Sequence, residues 1–113
     1  MSVSNRRAHV EHRPLDLATL GDATAALNVS HRATMSVQID GAHTTGAVKI
    51  EARLTGGPWV DLLDNAGAAI IITGPAMVRK IDVVGVDDAR VTVSTVEAGK
   101  EAAVLMSAWG DER

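Results

Sequence analysis

Residues Ala47 to Leu63, AVKIEARLTGGPWVDLL, constrain the fold more than any other stretch of this chain. Val48, Ile50, Ala52 and Leu54 alternate with Lys49, Glu51 and Arg53, and a period of two puts the first set on one face of a strand and the second on the other. Thr55-Gly56-Gly57-Pro58 stops that strand, and Trp59-Val60-Asp61-Leu62 starts another. The stretch therefore predicts a β-hairpin with a glycine-rich turn, dry on one face and wet on the other.

The rest of the chain repeats this grammar. Pro14 closes a polar leader and opens Leu15 to Leu20, which alternates as a strand before the turn pair Gly21-Asp22. Ala23 to Val29 is short and bounded by turns, so it is read as extended although its alanines tolerate a helix. Ala33 to Asp40 puts Ala33, Met35, Val37 and Ile39 on one face and Thr34, Ser36, Gln38 and Asp40 on the other, and Asp40-Gly41 is a turn signal. After the hairpin come strands at Ala68–Thr73, Met77–Val84, Ala89–Val96 and Glu101–Trp109, separated by turns at Asp64–Gly67, Thr73–Pro75, Gly85–Asp88 and Glu97–Lys100. Turns every eight to twelve residues, about eight or nine short strands and no helix of three turns predict an all-β fold. It is a single antiparallel β-sandwich, jelly-roll or Ig-like, with an extended N-terminal arm.

At 113 residues the chain makes one domain, large enough to bury roughly two-thirds of its unfolded surface. Its apolar residues are aliphatic, with two Trp and no Phe or Tyr, so the core gains little from large aromatic anchors. Two strands, AAIIIT and AAVLMSAW, are apolar on both faces, whereas the outer face of a two-layer sandwich normally meets water. This predicts cover from the N-terminal segment or from another subunit, with self-association or docking on a larger assembly favoured. Charge divides the chain in two. Residues 1–13 hold Arg6, Arg7 and Arg13 against Glu11, a local charge of +2, while residues 14–113 hold eight Lys/Arg and thirteen Asp/Glu, a charge of −5. The expected organisation is a basic arm, 1–13, on an acidic sandwich domain, 14–113, with the arm docking on an acidic surface.

Chemistry is sparse. The absence of Cys excludes disulfides and thiolate sites. His9 and His12 share a spacing that a metal could use, but no further ligand completes a site, and His31 and His43 read as exposed loop residues. Asp61, Asp64, Asn65, Asp87 and Asp88 lie near turns without the spacing of a calcium loop, so turn hydrogen bonding explains them. No glycine-rich segment precedes a helix, and no Ser or Thr has a histidine at motif spacing. An acidic body short of aromatics does not suit nucleic acid. The first fifteen residues lack the apolar core of an export signal, and the run Ala66 to Ile72 is too short to span a bilayer. No enzyme activity, cofactor, metal, nucleic acid or membrane is expected. Trp59 is read first as a plug at the end of the core and second as a stacking platform for a sugar.

The hairpin V-K-I-E-A-R-L-T-G-G-P-W-V-D-L, followed by V-R-K-I-D-V-V-G-V-D-D-A-R-V-T-V and a closing apolar strand, resembles a small β-sandwich module of structural proteins in tailed bacteriophages. The matching positions are Gly57, Trp59, Leu62, Arg79, Val83, Gly85, Arg90, Val91 and Val93, within Ala33 to Ala108. The resemblance implies a virion structural protein with no active residues to carry over. A small acidic chain with its own starting Met, a basic arm and spare apolar surface is most similar to a capsid decoration, or cement, protein. On that reading it is assembled in the host cytoplasm, is a homo-oligomer with a trimer favoured, and binds the major capsid protein. Arg6, Arg7 and Arg13 would dock on the shell, and Val104, Met106 and Trp109 of the last strand would serve self-association. The alternative is a tail- or head-fibre module that binds host glycan, with Trp59 as its platform, or another virion protein.

Overall fold

The computed structural model describes residues 8–73 and 77–110, with the backbone alone for residues 8–13 and 77. Nine strands make up the described chain: β1 (Ala8–Asp16), β2 (Leu27–Asn28), β3 (Thr34–Gly41), β4 (Ala47–Arg53), β5 (Val60–Asp61), β6 (Ile71–Thr73), β7 (Met77–Asp82), β8 (Asp88–Thr95) and β9 (Glu101–Trp109). They form a four-stranded sheet in the order β1-β9-β3-β7 and a five-stranded sheet in the order β2-β8-β4-β5, with β6 also on β4. Every pairing is antiparallel. The chain is a single β-sandwich, as its turn spacing predicts.

The topology has one organising principle. The Thr55–Pro58 turn is the tip of a long hairpin in which β4 pairs β5 and β6, β3 pairs β7, β2 pairs β8 and β1 pairs β9. Rolling that hairpin adds two further ladders, β3 to β9 and β4 to β8, and divides the strands between two sheets. This is jelly-roll connectivity. The return strand at the tip is split, because Leu63–Ala69 leaves the sheet as an ear. Leu62 donates its N–H to the Ile50 carbonyl (2.9 Å) and Ile50 donates to the Ile70 carbonyl (3.2 Å), so the two halves rejoin at Ile50.

Alternation decides what is inside. In β3 Met35, Val37 and Ile39 are buried, in β4 Val48, Ile50 and Ala52, in β8 Ala89, Val91 and Val93, and in β9 Ala102, Val104, Met106 and Ala108. These inner faces meet in one aliphatic core that excludes both tryptophans. Removing such side chains from water supplies roughly 1.5–3 kcal/mol each for the larger ones.

β1 and the β3–β4 loop differ from the sequence reading. β1 begins at Ala8 and runs through Pro14 with a register shift between His12 and Leu15, which an edge strand allows because its outward N–H needs no partner. It ends at Asp16, since the Asp16 carboxylate accepts from Ala18 N–H (3.0 Å) and Thr19 Oγ1 (3.0 Å) and turns the chain. Leu20 is therefore on the surface rather than in a strand. His43, expected in solvent, is 1% exposed, because the β3–β4 loop folds back over it. Gly41, with φ +147°, lies beside that ring, and a Cβ there would stand 3.1 Å from His43 Nδ1 and 2.5 Å from the Glu101 carbonyl oxygen.

Candidate functional site

The two outer faces of the sandwich differ in the balance of their charges. On the five-stranded sheet, the wet side of β4 presents Lys49, Glu51 and Arg53, and the register sets Thr92 beside Lys49, Arg90 beside Glu51 and Asp88 beside Arg53. The charges pair across the strands. Arg90 Nε donates to Glu51 Oε1 (2.8 Å), Arg53 Nε to Asp88 Oδ2 (3.0 Å) and Thr92 Oγ1 to Glu51 Oε1 (2.8 Å). Lys49 Nζ lies 2.9 Å from Asp61 Oδ1 on β5 and 3.8 Å from Glu51 Oε2. Burial pulls the Glu51 carboxyl upward, but the hydrogen bonds from Thr92 and Arg90, with the charges of Arg90 and Lys49, outweigh it and hold the group below the usual carboxylate range. The hydrogen bond to Asp61 raises Lys49 in turn, against the effect of its own partial burial.

Trp59 lies on this lattice. The turn after β4 is fixed by a Gly57 N–H bond to the Leu54 carbonyl (2.8 Å), and Asp87 accepts from Thr55 N–H (2.8 Å) and Oγ1 (3.0 Å). The chain then returns with the half-buried indole against two guanidinium groups, its centroid 4.5 Å from Arg53 Cζ and 4.3 Å from Arg90 Cζ. Such stacking is worth about 0.5–1 kcal/mol or more per cation. The expectation of a core plug is thus corrected: Gly56 and Gly57 turn the chain outward, and the indole finds cations on the surface instead of aliphatic side chains inside. The arginines were legible as the wet residues of their strands, but their meeting with Trp59 depends on the β4–β8 register, which no local pattern states.

On the outer face of the four-stranded sheet the described charges are Asp16, Asp40, Asp82 and Glu101 against Lys80, a net acidic set, with apolar and uncharged residues between them. The register aligns Trp109, Thr34 and Asp82 in one row, Ser107, Ser36 and Lys80 in the next, and Leu105, Gln38 and Val78 in a third. Trp109 Nε1 donates to Ser36 Oγ (3.3 Å), while the buried Ser107 Oγ has no partner among the described residues. An open cleft of about 450 Å³ borders this face between Trp109, Ala33, Asp82 and Val84.

The residues expected to bind partners separate accordingly. Val104 and Met106 are 3% and 1% exposed. They point into the core because β9 runs between β1 and β3 with its even-numbered residues inward, so their assignment to a surface is corrected. Trp109, on the opposite face of the same strand, is half-buried and reachable. Arg6 and Arg7 lie outside the described residues, and so does the side chain of Arg13, whose backbone is in β1. The same holds for the side chains of His9 and His12. Among the described residues no three His, Asp or Glu side chains converge as metal ligands, and no helix is long and apolar enough to cross a membrane.

The fold and its two contrasting faces define a jelly-roll β-sandwich. No known family model matches the chain, and no curated protein is detectably similar in sequence. Solved structures do share the fold. The SPBc2 prophage-derived protein YomS is 17% identical with a TM-score of 0.70, and the likeness covers 96% of each chain. The PBSX exported protein XepA is 19% identical with a TM-score of 0.74 over 96% of this chain, which spans 39% of that longer protein. The coat protein dimer of Tobacco streak virus is 10% identical with a TM-score of 0.52, covering all of this chain and 90% of the coat protein.

Proposed function

We propose that this chain is a structural protein of a phage virion, and within that class a capsid decoration protein that binds between capsomers and to copies of itself. The observation that carries the reading is a jelly roll shared along nearly its whole length with a prophage-derived protein. The outer face of the four-stranded sheet, where Val78, Leu105 and Trp109 stand among polar residues, offers apolar contact to a shell. Ala8 pairs with Ala108, so Arg6 and Arg7 directly precede the point where β1 lies next to the strand that carries Trp109. Ala8, the first described residue, and Trp109 lie at one end of the sandwich, and on this reading that end faces the major capsid protein, with Arg6, Arg7 and Arg13 docking on the shell. Decoration works by multiplicity, since each copy adds an interface on the order of 800 Å² per partner and the symmetry of the shell repeats it.

Co-sedimentation of the full chain with undecorated shells tests this. Saturable pelleting at fixed stoichiometry is expected, weakened by deleting residues 1–7, which leaves β1 intact, and by Trp109→Ala. A chain that stays in the supernatant at all concentrations overturns the reading. A second reading, a fibre module that binds host glycan, is favoured by one observation, the half-buried indole of Trp59 lying outside the core on the opposite face.

A further inference from the structure

We propose that Arg53, Trp59 and Arg90 form a binding site for a carboxylate-bearing saccharide, with the sugar ring on the indole and the carboxylate on the two guanidinium groups. This names a ligand class for the glycan reading above and rests on it. An arginine has five N–H donors. Arg53 and Arg90 each commit one, Nε–H, to a protein carboxylate, and their terminal nitrogens donate to no other described residue. The indole Nε1 of Trp59 likewise donates to no described residue. Two guanidinium groups thus lie within 4.5 Å of the centroid of one half-buried aromatic ring, which carries a third donor of its own.

The order needed for binding exists beforehand. Asp88 and Glu51 hold each guanidinium by its Nε edge, and the indole holds its plane, so little side-chain freedom remains to be lost when a ligand arrives. A planar fork of N–H groups matches the two oxygens of a carboxylate. Neighbouring acceptors favour a saccharide over a simple acid: Asp88 uses only Oδ2 and Asp61 only Oδ1 toward the protein, which leaves an oxygen on each for sugar hydroxyls. Nucleic acid does not fit. Lys49, Arg53 and Arg90 are balanced by Glu51, Asp61 and Asp88, and a polyphosphate backbone needs a net basic surface. Recognition here depends on short-range geometry.

The two tryptophans make the test internal. In the ¹⁵N-labelled full chain, tetragalacturonate is expected to move the Trp59 indole N–H signal saturably and leave the Trp109 signal in place, with Trp59→Phe giving the assignment. Maltotetraose, neutral and of similar size, is expected to move neither. The double variant Arg53→Lys, Arg90→Lys keeps the charge but loses the forks, and its affinity for tetragalacturonate is expected to fall about tenfold or more. An unmoved Trp109 signal shows that this variant is folded. Equal response to both sugars, or an unchanged affinity in the double variant, overturns the proposal while the glycan reading survives. No response to either sugar overturns both, and equal shifts of both indoles identify non-specific contact and overturn the site.

Discussion

Glu97 belongs to the turn between β8 and β9, yet it governs a loop more than fifty residues away in sequence. Its Oε1 accepts the backbone N–H groups of Thr44 (2.8 Å), Thr45 (2.8 Å) and Gly46 (2.7 Å), while Oε2 accepts from Thr44 Oγ1 (3.3 Å). Those bonds, led by Gly46, favour the ionised carboxylate and bring its pKa down to about 2 from 4.5. At the other end of the sandwich Asp87 does similar work, accepting from Thr55 and from Ser30 Oγ (3.0 Å), and its carboxyl is also lowered, chiefly by the Thr55 N–H. A depressed folded-state pKa gives stability that is whole above the unfolded value and lost as pH falls toward the folded one. The urea midpoint is therefore expected to decline between about pH 4.5 and about pH 2, and Glu97→Gln should remove part of that decline while also lowering the midpoint at pH 7. Denaturation curves of the two proteins across that range check both effects. The same loop buries His43 against Gly41. Gly41→Ala would force a side chain onto the Glu101 carbonyl at positive φ, with an expected loss of about 1–3 kcal/mol in chemical denaturation.

Within elements, β4 and β9 show what a sequence can and cannot disclose. The outward residues of β4 are Lys49, Glu51 and Arg53, so polarity alone separates its two faces. In β9 the outward residues include Leu105 and Trp109 beside inward Val104 and Met106, and composition cannot tell which set is the core. The ladders to β1 and β3 decide it. Met106→Ala should accordingly cost about 2–5 kcal/mol and Leu105→Ala clearly less, measured by denaturant unfolding. Strand patterns and turn spacing made the sandwich legible. Strand order, the burial of His43 and the Trp59 cluster were not, because each rests on contacts between residues distant in the chain, which no local periodicity encodes. Edges are legible once the order is known. β7 ends the four-stranded sheet with Arg79 and Lys80 at its centre, and a second β7 laid alongside it would oppose like charges. Arg79→Val with Lys80→Val should raise aggregation, seen as light scattering on prolonged incubation at concentrations where the parent chain stays clear.

At the scale of the whole molecule, a hairpin rolled from its tip makes almost every ladder long-range. Ala8 meets Ala108 and Leu27 meets Ala89. Loop closure of that kind is slow, so refolding is expected in milliseconds to seconds, as for other sandwiches of non-local pairing. Stopped-flow fluorescence can follow it with two reporters, Trp59 near the tip and Trp109 near the chain ends. A two-state chain gives one rate for the parent and for the single variants Trp59→Phe and Trp109→Phe. The place of β9 carries a further meaning for a chain made from one end. β1 and β3 are hydrogen-bonded to opposite sides of the same strand and not to each other, so while a ribosome is still adding residues 101–109 the four-stranded sheet has an empty lane through its middle. Two unpaired edges stand open there, and the nascent chain depends on β9 arriving before another chain supplies a strand.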